Sequence, residues 1–173
     1  MSDDTRNEEA WEEAEEAGEL LREGDPDAAI QTAERIISVN AKNEYAHFFL
    51  GCAHFEKGEF AQALKAFVRA LEITPTYVGA MVHLGQTLRM LGRYDEAIRM
   101  GQEVLKRRAD DPDALHLIGL VHFTRGDTRS AVEYLERFLR TRPEIEVAME
   151  VEGMLQTLRG EVIPFPTDPS KSN

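Results

Sequence analysis

The sequence predicts an all-α fold made of paired antiparallel helices set in a row, and three observations carry that prediction. The first is a 34-residue period: "EEAGELLREGDPDAAI" from Glu15 returns as "FLGCAHFEKGEFAQAL" from Phe49, "HLGQTLRMLGRYDEAI" from His83 and "LIGLVHFTRGDTRSAV" from Leu117. The second is the behaviour of three columns of that alignment. One is Gly24, Gly58, Gly92 and Gly126; one is Ala29, Ala63, Ala97 and Ala131; one stays small as Ala17, Gly51, Gly85 and Gly119. The third is apolar spacing of helical type on both sides of each turn glycine, with Leu50, Gly51 and His54 on one face and Phe60, Ala63, Leu64 and Phe67 on the next.

The elements follow in order. The first copy predicts helices over 8–23 and 26–39 around Gly24, a residue that ends a helix by taking positive φ without a Cβ clash. It is the most degenerate copy, because Glu13 and Glu16 occupy columns that are usually apolar. The second predicts helices over 43–56 and 60–73, the third over 77–90 and 94–107, and the fourth over 111–124 and 128–141. Within each pair the glycine column of one helix and the alanine column of the other are expected to let the axes approach, while Leu50 and Phe67 fill the space beside them. Burying one such side chain yields roughly 1.5–3 kcal/mol, against about 1 kcal/mol lost to a helix-interior glycine, so packing outweighs propensity.

A ninth helix over 144–159 has no partner. Ala148, Met149 and Leu155 can cover the preceding pair, whereas Glu152, Gln156 and Arg159 occupy the side where another helix would pack, as a solvating cap requires. From Gly160 the run "EVIPFPTDPSKSN" has three prolines and reads as an extended tail. The expected organisation is therefore an acidic leader at 1–9, a repeat domain at 10–159 with copies near 10–43, 44–77, 78–111 and 112–145, and a tail at 160–173.

In the second copy Leu50, Gly51, Gly58, Ala63, Phe67, Ala70 and Pro75 fall in step; the third keeps Leu84, Gly85, Gly92, Tyr94 and Ala97 but has Gly101 in place of the ring; the fourth keeps Gly119, Gly126, Ala131 and Pro143. On these residues the chain resembles the tetratricopeptide repeat (TPR) family. The resemblance implies a right-handed α-α superhelix, here of four helix-turn-helix repeats plus a C-terminal capping helix, whose first helices line a concave peptide-binding groove. Carried over column by column, that groove is lined by Trp11 with Ala14 and Gly18 beside it, by Tyr45, Phe48, Cys52 and Phe55, by Val82, Gln86 and Arg89, and by His116, Leu120 and Phe123. Some members hold the C-terminal carboxylate of heat-shock chaperones in a clamp of Lys, Asn and Arg. The matching columns here carry Ala14, Gly18, Phe48, Cys52, Gly79, His83 and Asp113, so no such clamp is present, and an apolar or mixed segment suits the groove better.

Charge and chemistry narrow the function. Net charge is −12, of which −10 falls within residues 1–27, so clustered phosphate-binding cations are absent and nucleic acid is not expected as a partner. The acidic run reads either as a solvated helix face or as a surface that steers a basic partner. Cys52 is the only cysteine, no run of about 18 apolar residues exists, and the start lacks a secretory pattern; a reducing, cytoplasmic setting without membrane insertion is expected. His54 and His122 share a column two repeats apart, His47 sits in a packing column, His83 and His116 stand singly, and neither a zinc pattern nor a phosphate loop is found. No catalytic, cofactor or metal residue is assigned.

The expected function is a non-enzymatic protein-protein interaction adaptor that holds a segment of another protein. A homo-oligomeric scaffold, self-associating through groove, cap or tail, and a client-specific chaperone of the secretion type are the alternatives. The tail segment Val162 to Pro166 is a further candidate occupant of the groove.

Overall fold

The computed structural model describes residues 3–160, with side chains from Glu8 onward. The tail and its Val162 to Pro166 segment lie outside the described residues. Among the described residues there are nine helices and no strand: α1 (Asp3–Arg22), α2 (Pro26–Val39), α3 (Glu44–Glu56), α4 (Phe60–Ile73), α5 (Val78–Met90), α6 (Tyr94–Arg107), α7 (Pro112–Arg125), α8 (Thr128–Arg140) and α9 (Ile145–Leu158). The chain is all-α, and its helices divide between two compact units, one reaching Ala109 and the other starting at Asp110. In the first, each of α1 to α5 packs on the next, and α3 also meets α1 and α5; in the second, α7 packs on α8 and α8 on α9.

Each hairpin turn is built in the same way. Gly24, Gly58, Gly92 and Gly126 all have φ between 71° and 79°. At Gly58 the backbone N–H donates to Phe55 and that of Glu59 reaches back to His54; the same two bonds recur at each of the other three turns. This double closure satisfies the last carbonyls of the first helix and aims the chain into the second. In two hairpins a histidine braces the turn: His54 Nδ1 lies 2.6 Å from Glu59 Oε2, and His122 Nδ1 lies 3.1 Å from Asp127 Oδ2. The column shared by these two histidines thus positions the residue that begins the next helix.

The close approach inside a hairpin differs from the expected meeting of glycine with alanine. A Cβ at Gly51 would sit 2.6 Å from the Phe67 ring, and a Cβ at Gly119 would sit 2.6 Å from Leu135. The glycine exists to seat a large side chain of the second helix, and Phe67 and Leu135 are both fully buried as a result. Gly18 plays the same part between helices of neighbouring hairpins, since a Cβ there would strike Phe49 at 2.8 Å.

The degenerate columns of the first copy also have a structural explanation. Asn43, the N-cap of α3, is fully buried; its Oδ1 accepts from the Ala46 N–H, and its amide donates to the Ala10 carbonyl and to Glu13 Oε2. Glu16 accepts from Arg35 at 2.9 Å. Two glutamates that break the apolar pattern therefore tie α1 to α2 and to the start of α3. The helix also begins earlier than its apolar spacing predicts, at Asp3 rather than near residue 8.

Candidate functional site

Within the first unit the rings form one continuous row. Trp11 of α1 meets Tyr45 of α3 edge-on, with centroids 5.1 Å apart and planes at 90°. Tyr45 meets Tyr77 at 5.5 Å, Tyr77 meets Phe48 at 5.0 Å, and Phe48 meets His83 of α5 at 5.2 Å. Beneath them Phe49 and Phe67 are buried, with Phe67 stacked on His83 at 5.6 Å. Offset and edge-to-face contacts of this kind hold each ring against its neighbours. Trp11 is 42% exposed, while Tyr45, Phe48, Tyr77 and His83 are half-buried.

Two clefts open on either side of Tyr45. One, of about 280 Å³, is lined by Glu8, Trp11, Glu12 and Tyr45. The other, of about 290 Å³, is lined by residues that include Glu44, Tyr45, Thr74, Tyr77 and Arg108. Cys52, also half-buried, has its thiol pushed up to about 12 by burial, reinforced by the charge of Glu56, so it stays protonated at neutral pH. Burial likewise raises the Tyr77 phenol, helped by Tyr45, and keeps it neutral.

The remaining sequence-derived residues are placed as follows. Phe55 pairs with Phe60 across the α3–α4 turn at 5.4 Å. Gln86 and Arg89 are half-buried on α5 and bonded to each other, Arg89 Nε donating to Gln86 Oε1 at 3.2 Å. Val82 is buried, as are Ala14 and Gly18, so these three lie under the surface they were expected to line. The reason is local: α5 packs on α3, α4 and α6, and Phe49 occupies the hollow over Gly18. In the second unit Leu120 and Phe123 are half-buried, and His116 stacks on Phe138 at 4.5 Å with planes 13° apart.

Tyr77 belongs to the row but escaped the column transfer. It occupies the N-cap column held by Asn43 and Asp111, whose side chains accept from Ala46 and Ala114, and it makes no such bond. An aromatic residue where capping is worth about 1 kcal/mol is the signal that could have found it. A third cleft, of about 830 Å³, lies in the second unit along the Arg129, Val132, Glu136 and Arg140 stripe of α8. Its charges are partly paired, with Arg137 3.7 Å from Asp110 and the lining Glu136 accepting from Arg159 at 2.8 Å.

Three family models described as tetratricopeptide repeat match residues 14–78, 54–121 and 113–144 in overlapping succession. The chain belongs to the tetratricopeptide repeat family. Among curated relatives, DnaJ homolog subfamily C member 7 of Homo sapiens is 30% identical over 118 residues, covering 68% of this chain and 24% of that protein. The chain spans only 8% to 24% of the length of the first curated relatives it matches. The solved structure of MamA from Desulfovibrio magneticus RS-1, residues 41 to the end, superposes with a TM-score of 0.74 at 18% identity, covering 88% of this chain and 86% of that one. YrrB, described as a TPR protein with an unusual peptide-binding site, gives a TM-score of 0.65 at 16% identity over 84% of this chain and 75% of its own. These likenesses share the all-α TPR fold, and membership of the family makes the chain a protein-protein interaction module. Among the described residues no helix is long and apolar enough to cross a membrane.

Proposed function

We propose that the ring row of the first unit is the docking surface of a non-enzymatic adaptor, and that it holds an apolar or mixed segment of a partner protein. Trp11, Tyr45, Phe48 and Tyr77 form its floor, with Gln86 and Arg89 supplying hydrogen bonds on α5. One observation carries the reading: the row emerges at Trp11, a large aromatic left 42% exposed although Tyr45 and Phe49 contact it. Partly exposed aromatic clusters of this kind supply most of the energy at protein interfaces. The matched YrrB, by its description, binds a peptide on the same fold, which supports the reading without supplying the ligand.

The test is selection of binding peptides from a displayed random library, followed by titration on Trp11, whose fluorescence is unmixed because it is the only tryptophan. Phe48→Ala is expected to weaken a selected peptide about tenfold or more, a loss of roughly 1.4 kcal/mol, with helical content unchanged by circular dichroism. Equal affinity for the wild type and Phe48→Ala overturns the proposal. A second reading, self-association through α9, is favoured by Ile145 and Met149, one turn apart and 76% and 66% exposed; a concentration-independent monomer mass in sedimentation removes it.

A further inference from the structure

The acidic residues of α1 do not all have the same role. Glu13 accepts from Asn40 and Asn43, Glu16 accepts from Arg35, and Glu19 lies 3.9 Å from Arg22. Glu8 and Glu12 instead flank Trp11 in the i, i+3, i+4 relation and line the cleft that Trp11 and Tyr45 close. No basic side chain of the described residues lines it.

We propose that this cleft receives the cationic head of a lysine or arginine in the bound partner segment, an inference that rests on the ring row being a peptide-docking surface. The cleft, at about 280 Å³, falls below the range of roughly 300–1,000 Å³ usual for small-molecule pockets and suits one side chain. Two exposed carboxylates on the rim disfavour an anion and leave a positive charge as the complementary head group. A lysine or arginine supplies it: its charge meets Glu8 and Glu12, and its stem lies along rings whose faces attract positive charge within about 6 Å. The −10 carried by residues 1–27 adds a long-range attraction for the same kind of segment. The occupant is thus a basic-apolar peptide whose cation docks at the α1 end of the row and whose apolar residues continue along Phe48 and Tyr77.

The test uses a short peptide alternating leucine and arginine, and its twin with citrulline at every arginine, each titrated on Trp11 fluorescence. The arginine peptide is expected to bind roughly five- to tenfold tighter than its twin and to lose that advantage in the Glu8→Gln, Glu12→Gln double variant. The double variant Glu146→Gln, Glu150→Gln removes the same charge from exposed positions on α9 and is expected to retain the preference. Equal losses in both double variants, or no loss in the first, overturn the cation site while leaving the docking surface standing. Failure of the wild type to bind either peptide, or binding unaltered by Phe48→Ala, removes the docking surface itself and this inference with it.

Discussion

The hairpin of α3 and α4 and the hairpin of α7 and α8 place different side chains in the same columns. Gly51 and Gly119 leave matching hollows, filled by Phe67 in the first and Leu135 in the second. The phenyl ring reaches beyond its hollow to Phe48 at 5.9 Å and stacks on His83, so the core of α3 and α4 runs without a break into the exposed row. The leucine stays within its hollow, and the rings nearby pair locally, His116 on Phe138 and His122 on Tyr134. A column that serves packing alone in one hairpin therefore serves packing and supports the proposed docking surface in the other.

The sharpest way to break this comparison is at the plugs. Phe67→Ala is expected to cost about 3–5 kcal/mol and Leu135→Ala about 2–5 kcal/mol, measured by urea denaturation with circular dichroism. The two separate at Phe67→Leu, which keeps a filled hollow at a cost below about 1.5 kcal/mol but removes the ring under Phe48, so peptide affinity should fall while stability holds. A smaller effect comes from closing the hollows. Gly51→Ala meets three atoms of the Phe67 ring edge at 2.6–2.8 Å and is expected to cost about 1–3 kcal/mol. Gly119→Ala meets the Leu135 tip at 2.6 Å and also its Cγ at 2.9 Å and backbone nitrogen at 3.3 Å; the gain in helix propensity of about 1 kcal/mol and the one movable methyl offset part of its cost, so its unfolding midpoint should shift somewhat less.

The smallest effect concerns pH. His47 and Leu115 share a column and are both buried. Burial lowers the His47 pKa below its ordinary 6.5, and the charge of Arg69 adds to that, against a hydrogen bond with the Ala41 carbonyl. The unfolded chain then binds a proton that the folded one refuses. The stabilising contribution is complete above about pH 6.5 and is lost as pH falls below it. His47→Leu, copying the other hairpin, is expected to flatten the urea midpoint between pH 7.5 and 5.5; an unchanged slope would remove this assignment.

Much of the fold was legible because its punctuation is local. The turn glycines and the period gave 26–39, 60–73 and 94–107, which are the bounds of α2, α4 and α6. The early start of α1 was not legible, since a run of acids carries no apolar spacing to count. Nor was the end of α8, where Arg142 takes φ of 60° before Pro143, a conformation that residue type does not announce. At the candidate site the columns named Trp11, Tyr45 and Phe48, which the structure brings together. They missed Tyr77, whose column predicts a cap, and they gave Glu8 and Glu12 only as charge. Which carboxylate is already bonded and which lines a cleft depends on side chains far along the chain: Arg35, 19 residues from Glu16, and Asn43, 30 residues from Glu13.

That buried asparagine sets a limit on trimming the molecule. Its amide finds both acceptors on α1, at Ala10 and Glu13, while its own oxygen starts the following hairpin. A truncation beginning after residue 13 removes both acceptors and opens the amide to water, so the start of α3 loses the two bonds that tie it to α1, each worth about 0.5–1.5 kcal/mol. The first helix is thus a keystone for its neighbour, and this end of the array cannot be shortened one rod at a time.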